Sequence, residues 1–322
     1  MIITRTPYRI SLFGGGTDYP EWYKDHGGAV ISATIDKYCY IAATPYNKIF
    51  PQRYKVYWKT VELVNKIRDI EHPVVREGLR MLGYTDSLKL YYHGDLPSQS
   101  GLGSSSSFTV GFLHAILALQ SKQITKRELA QLAIKLERHI LKEHGGEQDQ
   151  LAAAHGGFNY FTFPHEEGVK ALPSTGLEDK LMLFYVGRDE ERFSSAYAKN
   201  WIDCIPHKTQ EFEGIQRITS DALAILESSE PDIDEIGILL DESWYLKRAL
   251  SETISDPQVD AIYAQAKLAG ALGGKLLGAG GKGFMVFYVP EGKQEAVRQA
   301  LSAYHHTPFR FEYEGTKLFR IS

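Results

Sequence analysis

The stretch Pro97-Ser98-Gln99-Ser100-Gly101-Leu102-Gly103-Ser104-Ser105-Ser106-Ser107 combines the residue types that hold a phosphate. Its glycines let backbone N–H groups approach an anion without interference from a Cβ. A helical pattern begins directly after it, so the free N–H groups and partial positive charge of a helix N-terminus point at the same place. The serine hydroxyls can donate to phosphate oxygens or coordinate Mg²⁺, a hard cation that prefers oxygen ligands. The alternative is a flexible Gly/Ser linker, which is not normally followed at once by an amphipathic helix. The motif is not a Walker loop. No G-x-x-x-x-G-K-[ST] occurs, and the nearest approach, from Gly270 to Lys275, has the wrong spacing and Leu276 where the hydroxyl belongs.

Two further glycine-rich stretches carry polar groups. In Pro7-Tyr8-Arg9-Ile10-Ser11-Leu12-Phe13-Gly14-Gly15-Gly16-Thr17-Asp18-Tyr19, an arginine and an aspartate bracket a glycine turn that can present both to a polar ligand. Gly278-Ala279-Gly280-Gly281-Lys282-Gly283 satisfies G-x-G-x-x-G. The dinucleotide fingerprint needs a strand before it and a helix after it. Here the pattern reads as helix before and strand Phe284–Val289 after, which excludes a Rossmann site. Tyr54, Tyr57 and Trp58 can flank an adenine ring, although a core or strand-face role suits them as well. The eleven histidines show no zinc spacing with cysteine.

These motifs need elements to hold them. Residues 1–100 read mainly as strands and turns, with β-prone runs Tyr38–Ala42 and Leu88–Tyr92 and one helix from Pro73 to Met81. A helix then runs from the glycine-serine loop to about Gln120. A second begins at Thr125, where Thr125 and Glu128 fit a capping box, and carries Leu129, Leu132, Ala133, Leu136 and Ile140 at helical spacing. Gly145-Gly146 is read as closing it through positive φ. A short helix spans Gln148 to Ala154, and the run Phe158–Phe163 follows as a strand. The polar segment Pro164–Leu177 divides the chain into residues 1–176 and 177–322. Beyond it come strand Leu181–Val186, helices starting at Asp232 and at Asp256-Pro257, strand Phe284–Val289, a helix, and strand Phe309–Tyr313. The class is α+β, with an open sandwich in each half.

The 322 residues suit two domains, and 43% hydrophobic with 24% charged residues is a globular composition. A net charge of −4 argues against nucleic acid or anionic membrane as partner. No apolar stretch of about 18 residues and no signal-like N-terminus occurs. The two cysteines, Cys39 and Cys204, are too few for a disulfide framework, so a reducing, cytoplasmic setting is expected.

Taken in order, the Pro7–Tyr19, Pro97–Ser107 and Lys275–Phe284 stretches resemble the three motifs of the GHMP kinases, along essentially the whole chain. Phe13 to Pro20, His72-Pro73-Val74-Val75-Arg76-Glu77 and Gly273-Gly274-Lys275-Leu276-Leu277-Gly278-Ala279-Gly280-Gly281 look most like the heptose 7-phosphate kinases within that family. Lys282 departs from the glycine expected there. The resemblance implies a two-domain fold, an N-terminal ATP-binding domain like ribosomal protein S5 domain 2 and a ferredoxin-like C-terminal domain, with the site in the cleft between them. It implies ATP and Mg²⁺, and a small sugar phosphate as acceptor. Pro97, Gly101, Leu102, Gly103, Ser104, Ser105 and Ser106 would bind ATP, with Ser105 and Glu137 on Mg²⁺. Asp149 would accept the acceptor's proton, and Arg9 would neutralise charge beside it. Asp18, Gly15, Gly16, Thr17, Gly280 and Gly281 would face the acceptor. Plainer alternatives stand beside these roles: a solvated helix face for Glu137, a helix-start aspartate for Asp149, an ion pair for Arg9 and a turn cap for Asp18. Arg188 and Lys247 are candidates for a distal phosphate, with surface solvation as the other reading. The implied reaction phosphorylates the anomeric hydroxyl of D-glycero-D-manno-heptose 7-phosphate. Fucose, galactose or mevalonate as acceptor, and a catalytically silent nucleotide or sugar sensor, are the alternatives.

Overall fold

The computed structural model describes residues 1–47, 49–164, 168–174, 176–187 and 194–321. The first sheet begins with β1 (Ile2–Phe13), joined through the Gly14–Tyr19 turn to helix α1 (Pro20–His26) and then to β2 (Gly28–Pro45). The strand β2 is 18 residues long. That length lets it pair with β1 along one edge and with two strands in succession along the other. Its first part, Gly28–Ala33, pairs with β6 (Phe158–Phe163), and its last, Cys39–Pro45, with β5 (Leu88–Gly94). The hairpin β3 (Tyr54–Tyr57) and β4 (Val61–Val64) extends the sheet, β3 lying parallel to β5. β7 (Val169–Ala171) adds to β6. A second, antiparallel sheet contains β8 (Leu181–Tyr185), β9 (Gly273–Leu276), β10 (Phe284–Tyr288) and β11 (His305–His306) in the order β11-β8-β10-β9. The chain then returns, and β12 (Lys317–Arg320) pairs with β1 of the first sheet.

Besides α1, the helices are α2 (Pro73–Met81), α3 (Ser104–Leu119), α4 (Lys126–Ile134), α5 (Gln148–His155), α6 (Leu177–Lys180), α7 (Ser194–Cys204), α8 (Thr209–Glu227), α9 (Asp234–Leu250), α10 (Pro257–Leu268) and α11 (Gln294–Ala300). α3 packs on β1 and β2 and is covered by α4 and α5, which explains why it is apolar on nearly every side. α8 and α9 lean on the other face of β1 while α9 also packs on β9. From Thr6 to Phe13, β1 is therefore buried on both faces, and the polar side chains of Thr6, Arg9 and Ser11 are buried with it. Among the described residues no helix is long and apolar enough to cross a membrane.

Several local readings change. α1 was not anticipated, although Pro20 at its first position, Glu21 in its first turn and Lys24 and His26 in its last are ordinary helix-end signals. The capping box at Thr125 and Glu128 is present, but α4 then widens into a π turn over Lys135–Ile140. Lys142, at φ 58°, takes the positive φ expected of Gly145 and Gly146. The sequence Phe309–Tyr313 forms only a single bridge, Phe311 with Ile35. The strand before the Gly278–Gly283 loop is β9, so the loop joins a β-hairpin where a preceding helix was expected. No helix follows it, and the exclusion of a dinucleotide site is unaffected.

Candidate active site

The three glycine motifs converge on one cleft of about 470 Å³ where the two sheets meet. The second and third motifs interlock backbone to backbone. Gly101 sits at φ +85°, and a Cβ there would lie 2.4 Å from the Leu277 carbonyl oxygen; a Cβ on Gly278 would lie 2.6 Å from Gly101 Cα. The Phe284 N–H donates to the Ser100 carbonyl at 3.1 Å. Only residues without a side chain allow this approach, so the glycines there serve packing as well as anion access.

The serine run divides its hydroxyls. Ser104 Oγ accepts from the Gln99 N–H at 3.2 Å, Ser107 Oγ donates to the Pro7 carbonyl at 2.8 Å, and Ser106 Oγ donates to Glu137 Oε2 at 2.9 Å. Ser105 is exposed and lines the cleft. Glu137 is reached through the π turn after α4, a distortion common at functional sites. Its side chain is buried, which disposes of the solvated helix face. Oε2 also accepts from Gln150 Nε2, while Oε1 is buried with no hydrogen-bond partner among the described residues. Burial, and then the charge of Glu143, push the Glu137 carboxyl up to about 7. A buried carboxylate and an exposed serine hydroxyl lining one cleft are an oxygen donor set that fits a hard cation, with phosphate and water completing the shell. Among the described residues no cluster of three or more His, Cys, Asp or Glu offers an all-protein cage.

Arg9 and Asp149 form a two-pronged ion pair across the cleft floor. Arg9 Nε donates to Asp149 Oδ1 at 2.8 Å and Nη2 to Oδ2 at 2.9 Å, while Nη1 donates to the Gly101 carbonyl. The Arg9 side chain is 7% exposed and that of Asp149 24%, so the pair is fixed but open on the aspartate side. Asp149 lies in the first turn of α5, whose start is held by the first motif. Asp18 is fully buried, accepting from the Gly16 N–H at 2.9 Å and the Gln148 N–H at 3.1 Å. Burial pushes its carboxyl upward. Gly146 is required by this contact, since a Cβ there would fall 1.8 Å from Asp18 Oδ2. Asp18 thus acts as a turn cap and as the anchor that aims Asp149, and it also lines the cleft.

Gly15, Gly16, Gly103 and Gly280 line the cleft, whereas Pro97, Leu102 and Gly281 do not. Thr17 is buried and donates to the Gly14 and Ala29 carbonyls, which ties the first turn to β2. Tyr54, Tyr57 and Trp58 stay off the cleft: Tyr54 is in the core, Tyr57 stacks on Tyr91 at 4.3 Å, and Trp58 donates to Glu62 at 2.7 Å. Arg188 lies outside the described residues. Lys247 is buried, contrary to the surface alternative, and lines the cleft together with Lys275. Lys275, Gln150 and Trp201 are cleft groups that sequence reading missed. The available signal was Lys275 itself, a lone cation in the apolar strand Gly273–Leu276.

Residues 64–157 match the family model of the GHMP kinases N-terminal domain, and residues 222–307 that of the GHMP kinases C-terminal domain. The chain is 31% identical to D-glycero-alpha-D-manno-heptose 7-phosphate kinase of Campylobacter jejuni, over 99% of each chain. It is 27% identical to a galactokinase of Thermococcus kodakarensis, over 91% of this chain and 90% of that one. A crystal structure of a D-glycero-D-manno-heptose 1-phosphate kinase from Bacteroides thetaiotaomicron superposes with a TM-score of 0.77 over 100% of both chains, at 26% identity.

Proposed function

The chain belongs to the GHMP kinase family, and from that premise we propose that it transfers the γ-phosphoryl group of ATP to the anomeric hydroxyl of D-glycero-D-manno-heptose 7-phosphate. The products are the 1,7-bisphosphate and ADP. The observation that carries this reading is the Arg9–Asp149 pair, held open to the cleft beside the Gly101–Ser106 loop and Glu137.

Phosphoryl transfer requires charge neutralisation, in-line positioning and control of the attacking hydroxyl. The backbone N–H groups at the start of α3 receive the phosphates. Both carboxylate oxygens of Asp149 are oriented by Arg9 yet keep a further lone pair each, so Asp149 accepts the proton as the acceptor oxygen bonds to the γ-phosphorus. The bond from that phosphorus to the bridging oxygen breaks, and ADP leaves with the electron pair. Arg9 offsets negative charge that builds at the transferring group. Glu137 and Ser105 would hold Mg²⁺, which when bound neutralises the β- and γ-phosphate oxygens.

The heptose acceptor is supported by the likeness to the Campylobacter jejuni relative, matched over nearly all of both chains. The name of the Bacteroides neighbour puts the acceptor's existing phosphate at position 1, so the site of attack is part of the test. Phosphorus NMR of the protein with Mg-ATP and D-glycero-D-manno-heptose 7-phosphate is expected to show a new anomeric phosphate signal with ADP. ADP formed only with fucose, galactose or mevalonate would discard the heptose. Nucleotide binding without turnover on any acceptor would leave a sensor.

A further inference from the structure

Beneath the third loop, two lysines meet the cleft without an acidic partner among the described residues. Lys247 comes from α9 and Lys275 from β9, and each is only 4% exposed. Lys247 Nζ donates to the Leu276 and Gly278 carbonyls, both at 2.7 Å, and Lys275 Nζ donates to the Leu12 carbonyl at 2.9 Å. An ammonium carries three donors. One on Lys247 and two on Lys275 therefore remain for whatever enters the cleft. The rings of Trp201 and Trp244, centred 5.6 and 5.8 Å from Lys247 Nζ, help to wall this end against water.

The charge around the pair is one-sided. Among the described residues no carboxylate forms an ion pair with either lysine, and the nearby Asp149 is engaged by Arg9. Burial and the neighbouring cations hold both amines down, Lys275 to about 7. Neutral donors would anchor the loop carbonyls without this desolvation cost, and two buried ammonium groups beside a guanidinium are stabilised only when an anion joins them.

We propose that Lys247 and Lys275 form the subsite for a phosphate monoester that the acceptor itself carries. This deepens the kinase reading given above and rests on it. In that reading the triphosphate has its receptors in the Gly101–Ser106 loop and in the Mg²⁺ that Ser105 and Glu137 would hold. The lysines stand instead against the first motif, at Leu12, and against the third loop, at Leu276 and Gly278. Gly15, Gly16 and Trp201 line the same cleft. A dianionic phosphate matches two monocations, and its arrival restores their charged forms.

The test compares each phosphorylated acceptor with its dephosphorylated parent, in the wild type, Lys275→Met and Lys247→Met. The pairs are D-glycero-D-manno-heptose 7-phosphate with the free heptose, mannose 6-phosphate with mannose, and phosphomevalonate with mevalonate. The wild type is expected to prefer the phosphorylated member in kcat/KM, and each substitution to shrink that preference roughly 10- to 100-fold, the worth of one charged hydrogen bond. Lys275→Arg should restore part of it. Because the ratio is taken within one variant, general damage to folding or transfer cancels. A wild type without the preference, or variants in which both members fall together, would overturn the subsite; the lysines would then serve the transferring group or the loop. If the heptose pair is inert and another pair is turned over, the heptose reading fails alone and the subsite is judged on the other ratio. If no pair turns over, calorimetric titration with inorganic phosphate decides: binding lost in Lys275→Met supports the site, and none in the wild type removes it.

Discussion

Replacing Asp149 by asparagine separates proton acceptance from shape. The amide keeps one oxygen for Arg9 but turns an NH₂ towards the second guanidinium donor, in place of the contacts now at 2.8 and 2.9 Å. With the Arg9 side chain 7% exposed, water replaces the lost partner poorly, which costs about 1–3 kcal/mol of stability. The melting temperature should fall by roughly 1–5 °C. The chemical effect is larger. A positioned general base is worth about 10²–10⁴ in rate, or ~3–5 kcal/mol of barrier. ADP release by Asp149→Asn should therefore drop at least about 100-fold, measured with a coupled assay at saturating Mg-ATP and acceptor. Nucleotide affinity, read by calorimetry, should stay within a few-fold, because the Gly101–Ser106 loop is untouched. Retention of more than about a tenth of kcat, in a variant that still binds nucleotide, would remove Asp149 from proton transfer. The ion pair with Arg9 would then be architectural.

Three other outcomes follow from the same geometry. Glu137→Gln should raise the Mg²⁺ concentration for half-maximal rate by roughly tenfold or more, since it removes the charge of the buried carboxylate; an unaltered metal titration would reject Glu137 as a ligand. Gly101→Ala forces a Cβ to within 2.4 Å of the Leu277 oxygen at φ +85° and should cost at least ~3 kcal/mol, whereas Gly145→Ala, with open space at the Cβ, should change stability by under about 0.5 kcal/mol. Equal melting curves for the two would refute the interlock. His72 is packed between Phe108 at 4.6 Å and Trp58 at 4.7 Å, and burial holds its imidazole down to about 4. The unfolded chain takes up this proton near pH 6.5 and the folded one only near 4, so the contribution is present above that window and lost as pH falls through it. His72→Phe should remove on the order of 1–2 kcal/mol of that acid sensitivity, allowing for partial exposure, in denaturant titrations at pH 7 and 4.5. An unchanged difference between the two pH values would place the sensitivity elsewhere.

Much of this protein was legible along the chain because the signals are local. Thr125 with Glu128, Asp256 before Pro257, and Pro73 at a helix start act within one turn, and each begins a helix as expected. The glycine-serine loop before α3 is likewise a local event, and the order of the three motifs carried the family. What tertiary structure alone decided involves groups far apart in sequence. Glu137 accepts from Ser106 and Gln150, with Ser105 left exposed to the cleft, and this depends on a π turn that no residue pattern announces. Gly146 looked like a helix terminator and is instead the space that Asp18 occupies. Lys247 was a distal-phosphate candidate with surface solvation as the other reading; α9 turns it under the third loop, where carbonyls of Leu276 and Gly278 receive it. β12 closes the first sheet beside β1, the strand that opens the chain. Helix and turn signals are settled by backbone sterics and neighbouring side chains, whereas burial of a charge and closure of a sheet depend on which distant surfaces meet, and only the packed chain determines that.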